Sequence, residues 1–234
     1  MIRKVSPQPT LRSTTPGAAF QPTSFAIFAI IFIMPWIPIS QGWILVLSTA
    51  LPIALILSVV VIEMQPALSL GLRKTPIKDA ILLGACIAIV ALFNIATAHS
   101  HEVYDVYETR FVYWIPVQLR IADAITQPIM EELAFRGYLY ERILPLLRNP
   151  ILAVVSTQCI FGFTHISRYG LQDAASISIQ TLPFVLLYAW RRNVYLTIAM
   201  HIAWDLMAFV VLPLLHPGYL TVSGFVCNCG RRVM

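Results

Sequence analysis

The sequence predicts an all-α membrane protein, a polytopic bundle of about seven transmembrane helices, and three observations carry that reading. Of its 234 residues 58% are hydrophobic and only 12% charged, with a mean hydropathy of +0.76, whereas a soluble domain carries about 25% charge. The apolar residues fall in runs near the ~20 residues that a helix needs to cross the hydrocarbon. The basic residues stand in short clusters between those runs, where they act as topology signals. So placed, the formal net charge of +5 makes no basic face for nucleic acid, and the bilayer is the first partner implied.

The elements follow in order. Residues 1–24, "MIRKVSPQPTLRSTTPGAAFQPTS", hold three basic residues, no acidic ones and several Ser, Thr and Pro. Transit peptides share that composition, but so does a disordered cytoplasmic leader, the reading adopted here. The apolar run that follows lacks a small-residue cleavage site, which argues against a secretory signal. Spans are expected at about 25–40, 43–62, 79–98, 119–145, 150–167, 174–190 and 193–215. Pro35 and Pro38 interrupt the first, so it is kinked or only partly spanning. The fourth is amphipathic. Residues 25–215 thus form one helical domain, and residues 216–234 a C-terminal tail without an obvious eighth span. Cys86 and Cys159 fall inside apolar runs and read as small buried hydrophobes; Cys227 and Cys229 form a lone C-x-C in the tail, weak as a metal signal.

Charge tests the topology. With the N-terminus in the cytoplasm, the inside segments carry Arg3, Lys4 and Arg12, then Arg73, Lys74 and Lys78, then Arg142 and Arg148, then Arg191 and Arg192, ten of the 16 basic residues. The other side receives Arg110, Arg120, Arg168, Arg231 and Arg232, with the acidic stretch holding Glu102, Asp105 and Glu108. This satisfies the positive-inside rule at each inside loop and suits a multi-pass protein of the cell (inner) membrane.

Three of the last four spans nevertheless contain ionisable residues, each costing about 2.5–3.5 kcal/mol at the centre of a span. Glu132 and Arg136 are four apart, on one helix face, and can pair. Glu131 is rotated from Glu132 by about 100° and is left to face something else. Phe161 and His165 repeat the spacing on the next span, as do His201 and Asp205 on the last. Taken singly, each is a plausible structural pair or interhelical hydrogen-bonder; six ionisable groups on three helices argue for a site.

The order "EELAFR", "FGFTH", "HIAWD" resembles the EExxxR, FxxxH and Hxxx(N/D) motifs of the CAAX-protease and bacteriocin-processing family of intramembrane proteases, also called type II CAAX prenyl endopeptidases. The resemblance covers about residues 119–212, and "FRGYLY" extends it. It implies a helical bundle with an active site sunk in the bilayer, in the last four spans, cutting a peptide or protein substrate in or near the membrane. Carried over by position, Glu131 with His165 would activate a water, and His201 with Asp205 would hold the oxyanion. Glu132 and Arg136 would brace the site, with Phe161 as the motif's aromatic. A glutamate among apolar groups suits a general base, and donors aimed at an oxyanion contribute a few kcal/mol. Asp205 departs from the asparagine of prenyl-protein-cleaving members. A carboxylate repels an oxyanion, so Asp205 would act protonated or by orienting His201.

Two rivals remain at this stage. Glu131, His165 and His201 are good zinc ligands for the same hydrolysis, as in a metalloendopeptidase. The absence of HExxH and the resemblance favour a mechanism without a cofactor. The alternative outside catalysis is a peptide-binding or immunity membrane protein of the same family; three intact motifs argue against it. A transporter is weaker still, since no inverted repeat is evident. The topology predicts that cysteines placed near Lys74 and Arg192 react with an impermeant thiol reagent from the cytoplasmic side, and one near Asp105 from the opposite side. The reverse labelling pattern would overturn the assignment.

Overall fold

The computed structural model describes residues 21–38, 40–97 and 116–215. Almost all of the leader, the acidic stretch around Asp105 and the C-terminal tail with Cys227 and Cys229 lie outside them. Among the described residues every regular element is helical. Helix α1 is Pro22–Ile33, α2 is Gln41–Leu57 and α3 is Ile77–Thr97. Helix α4 runs without a break through Val117–Glu131, a π-helical stretch Glu132–Tyr140 and Glu141–Leu147. Then come α5, Pro150–Tyr169, α6, Leu171–Gln180, α7, Leu182–Arg191, and α8, Val194–Leu206.

Local chemistry sets these boundaries. Pro35 has no N–H to continue α1, so the chain leaves through the 3-10 turn Met34–Trp36 into extended backbone at Ile37. Two tight turns share one device, an Arg-Asn pair. Arg148 and Arg192 both adopt a left-handed conformation, with φ of 51°. Each is followed by an asparagine that caps the next helix. Asn149 Oδ1 accepts from the Ile151 and Leu152 N–H groups at 2.9 and 3.2 Å, and Asn193 Oδ1 from the Tyr195 N–H at 3.1 Å. These caps satisfy donors that a helix start leaves orphaned.

Among the described residues, three helices are long and apolar enough to cross a membrane: Gly42–Ile62, Pro150–Ser167 and Val194–Val211; the apolar helix Pro22–Trp36 is shorter. The first of the expected spans is thus a short apolar helix that ends at Met34–Trp36, next to its prolines. The expected sixth span, 174–190, is corrected to two ten-residue helices, α6 and α7, meeting at Thr181. Pro183, in the first turn of α7, lacks the N–H that a continuous helix would need. Cys159 is exposed rather than buried, and Cys86 is half-buried; both sit on helices.

Helix α4 is the axis. All nine residues of its π-helical stretch are buried, which requires neighbours on every side. Phe28 of α1 meets Phe135 edge-on with ring centroids 5.7 Å apart, and Phe161 of α5 does so at 5.2 Å. Ser48 of α2 donates to Thr126 of α4 at 2.9 Å. The loop before α3 lies so close to α4 that a Cβ on Gly137 would sit 2.8 Å from the Leu70 carbonyl oxygen. Large apolar side chains such as Ile53, Val61, Ile89, Ile151, Leu186 and Trp190 remain exposed, as lipid-facing residues of a bundle do.

The loops named above as inside meet at one end of the bundle. Arg142 pairs with Glu63 at 2.5 Å, Arg191 with Asp79 and Arg192 with Glu141. The Tyr188 hydroxyl donates to the same Glu141 at 2.5 Å, and the Val194 N–H bonds the Gly71 carbonyl at 2.9 Å. At the other end, Ser167 donates to the Pro35 carbonyl at 2.8 Å and Arg120 to the Phe209 carbonyl at 3.0 Å.

Helices α5 and α6 pack tightly at Gly162, where an added Cβ would collide with the Ser178 side chain. Gly162→Ala should therefore cost about 1–3 kcal/mol through overpacking and lower Tm. Adding Ser178→Ala, which removes the nearest atom, should recover part of the loss. An unchanged Tm in the single variant would mean that the two helices do not meet there.

Candidate active site

The π-helical stretch of α4 starts at Glu132, and widened turns of this kind often mark functional positions. Glu132 and Arg136 are both fully buried, and their side chains pair at 3.1 Å from Arg136 Nη1 to Glu132 Oε1, as the spacing predicted. The pair is not closed on itself. His201, on α8, bonds the same Glu132 Oε1 through Nδ1 at 2.8 Å. Thr197, fully buried one turn before His201, lies beside that carboxylate.

Arg136 is held from the α5 side. Its guanidinium carbon sits 4.4 Å from the centre of the Phe161 ring, a cation–π contact that desolvation strengthens. Its Nη2 approaches Gln158 Oε1 at 3.4 Å. Phe161 in turn packs on His165, with ring centroids 4.6 Å apart. The Phe161 carbonyl lies 3.0 Å from His165 Nδ1, and the Thr164 hydroxyl 3.2 Å from the same nitrogen. A hydrogen bond at Nδ1 leaves the other ring nitrogen for chemistry.

The adjacent glutamates face different surroundings. Glu132 is sealed, whereas the Glu131 side chain keeps 18% of its surface exposed. Glu131 and His165 line one cavity of about 510 Å³, walled by Met34, Trp36, Ile37, Gln127, Met130, Phe135, Thr164 and Tyr169 among others. It lies toward the end of the bundle opposite the basic loops, under the segment after α1. His201 links the two environments: with Nδ1 on Glu132, its Nε2 stands 3.9 Å from Glu131 Oε2 and 3.7 Å from Asp205 Oδ1. Phe184 of α7 packs on the imidazole at a centroid distance of 5.0 Å and fixes its plane.

The structure therefore gathers Glu131, Glu132, Arg136, His201 and Asp205 into one connected cluster and brings Phe161 and His165 against it. Gln158, Thr197 and Phe184 went unnoticed in the sequence, although Gln158 and Thr197 carry a signal. Each is a polar residue in an apolar span, three residues before Phe161 and four before His201 respectively. Among the described residues, no group of three or more His, Cys, Asp or Glu side chains is arranged to hold a metal ion.

Residues 113–207 match the family model described as Type II CAAX prenyl endopeptidase Rce1-like; the ionisable cluster from Glu131 to Asp205 falls within that range, and the cavity walls contributed by Met34, Trp36 and Ile37 do not. No curated protein matches the chain, and no solved structure does.

Removing the guanidinium tests the brace. Arg136→Ala would strand a carboxylate with no water access, at a cost of about 3–5 kcal/mol. Less folded protein and a lower Tm are expected together with lost activity. A fully folded and active variant would show that Glu132 does not depend on this partner.

Proposed function

We propose that this chain, a member of the Rce1-like type II CAAX prenyl endopeptidase family through residues 113–207, is a membrane-embedded endopeptidase that hydrolyses a peptide bond with a water activated by Glu131 and His165. One observation carries the reading: Glu131 and His165, from neighbouring helices, line the same cavity, while Glu132 beside them is committed to Arg136 and His201.

The chemistry follows from that division. A peptide entering the cavity presents its carbonyl carbon to a water between Glu131 and His165. Glu131 accepts a proton as the water oxygen attacks, and the carbonyl oxygen becomes an oxyanion. His201 is the donor available to it: Nδ1 is anchored on Glu132, so in the doubly protonated ring Nε2–H, 3.9 Å from Glu131 Oε2, is the proton left for the oxyanion. One such donor contributes about 2.7–4 kcal/mol in the transition state. As the carbon–nitrogen bond breaks, the proton taken by Glu131 is delivered, directly or through His165, to the leaving amine. The balance is one water and one peptide bond consumed, one carboxylate and one amine formed.

Asp205 Oδ1 stands 3.7 Å from His201 Nε2, near enough to orient a charged imidazole through space and too far to take the Nε2 proton from the oxyanion, which a second carboxylate would itself repel. The cavity walls, Trp36, Ile37, Met130 and Phe135 among them, favour an apolar peptide presented by the membrane. The reaction is read as metal-free rather than zinc-dependent on the family resemblance and the absence of an HExxH motif in the sequence; an unchanged rate after chelation and extensive dialysis is the outcome that fits. The meeting of Lys74, Lys78, Arg148 and Arg192 at one end supports a multi-pass protein of the cell membrane with that end, and the N-terminus, in the cytoplasm.

Groups that act as a unit lose activity non-additively. Glu131→Gln, His165→Ala and the double variant should fall to a similar low rate on one membrane peptide while still binding it. Single losses that multiply in the double variant would mean separate roles. Near-normal cleavage by Glu131→Gln would leave the peptide-binding reading as the better account of the cavity.

A further inference from the structure

The charged cluster is fixed from one side by a neutral residue that the hydrolytic scheme does not use. Gln158 on α5 is 6% exposed, and its amide is engaged at both ends. Nε2 donates to the Ser178 carbonyl at 2.7 Å and to Thr181 Oγ1 at 2.7 Å, while Oε1 faces Arg136 Nη2 at 3.4 Å. Thr181 is the residue at which α6 stops and α7 begins, and its own hydroxyl proton is already given to the Ile177 carbonyl at 2.7 Å. Gln158 therefore joins the break between α6 and α7 to the guanidinium that holds Glu132, and Glu132 holds His201. The chain of contacts crosses four helices with no charge on its first member.

We infer that Gln158 is a positioning residue for the hydrolytic site: through Arg136 and Glu132 it sets the orientation in which His201 presents Nε2. The inference rests on the endopeptidase reading above. The chemistry requires an amide here. The amide needs a donor for Ser178 and Thr181 and an acceptor for Arg136 at once, and glutamine is the uncharged side chain of that reach with both. A carboxylate would keep the acceptor and lose the donors; an apolar side chain would lose both. The alternative is that Gln158 only moors α5 to the helix break. The two roles make opposite demands on the same variants. Mooring depends on the Nε2 donor, which Gln158→Glu and Gln158→Met both remove, and the buried carboxylate of Gln158→Glu makes it the less stable of the two. Positioning depends on the acceptor toward Arg136, which only Gln158→Glu retains.

The experiment compares the full chain in detergent or bilayer as wild type, Gln158→Met and Gln158→Glu, with Gln180→Met as a control. Gln180 bonds Ser176 on its own helix α6 at 2.9 Å, outside the chain of contacts from Gln158 to His201, and should change neither rate nor His201. Each protein is assayed for kcat and KM on one membrane peptide, for Tm, and for the ¹⁵N shifts of the His201 ring across pH. Displacing a reacting group by about 1 Å can cost about 100-fold. A kcat loss of about 10–100-fold with KM nearly unchanged is therefore expected for Gln158→Met. Gln158→Glu should retain more kcat than Gln158→Met despite its lower Tm, and the His201 shifts should move most in Gln158→Met. Rates that simply follow Tm through the series, with His201 signals unmoved, would overturn the inference, as would a wild-type kcat in Gln158→Met. A wild type that cuts no peptide would count against the endopeptidase reading; the His201 shifts would still decide whether Gln158 sets that ring.

Discussion

A carboxylate and a guanidinium with no exposed surface stand at the centre of this helical bundle, and the rest of the site is arranged around them. Taking two charges out of water costs several kcal/mol each, and their mutual attraction repays that only with good geometry and further hydrogen bonds. Glu132 and Arg136 meet at 3.1 Å, but each has capacity to spare. Glu132 takes a bond from His201. Arg136 takes the Phe161 ring face and the Gln158 amide. Three helices are thereby tied to one ion pair. In a bilayer, where lipid tails are as apolar as leucine, such polar contacts and close packing contribute much of what holds helices together.

That constraint gives two neighbouring glutamates different surroundings. One residue along a helix is about 100° around it, so Glu131 leaves the sealed side on which Glu132 sits and reaches the cavity wall beside His165. His201 bridges the two, one nitrogen on the structural carboxylate and the other toward Glu131 and Asp205. A single imidazole thus transmits the rigidity of the ion pair to the place where chemistry would occur. Support of this kind, from groups that never touch a substrate, is what keeps a catalytic geometry within a fraction of an ångström.

Much of this was legible before any coordinates. The apolar runs located the helices, because a bilayer tolerates few other spanning structures. The i, i+4 spacing of Glu132 and Arg136 foretold their pairing, since positions four apart share a face whatever surrounds the helix. Pro35 marked the end of α1 for a reason local to one residue. The break at Thr181 was not foreseen, although Pro183 signals it; hydropathy averages over a window, and the segment stays apolar on both sides of the break. Gln158 and Thr197 escaped notice because a neutral polar residue in a membrane helix is common. Its importance depends on which neighbour it meets.

The sequence alone determined the helical class, the membrane environment, the loops that carry positive charge and the set of ionisable residues worth asking about. Each is a property of composition or of spacing along one helix, which covalent geometry and the solvent fix without reference to other segments. Tertiary structure decided that His201 reaches Glu132 across 69 positions and that Glu131 and His165 share a cavity while Glu132 is sealed. It also decided that the helix break at Thr181 is wired through Gln158 to Arg136. Those facts depend on how α4, α5 and α8 rotate and pack against one another, and no residue pattern within a single helix specifies the rotation of its neighbour.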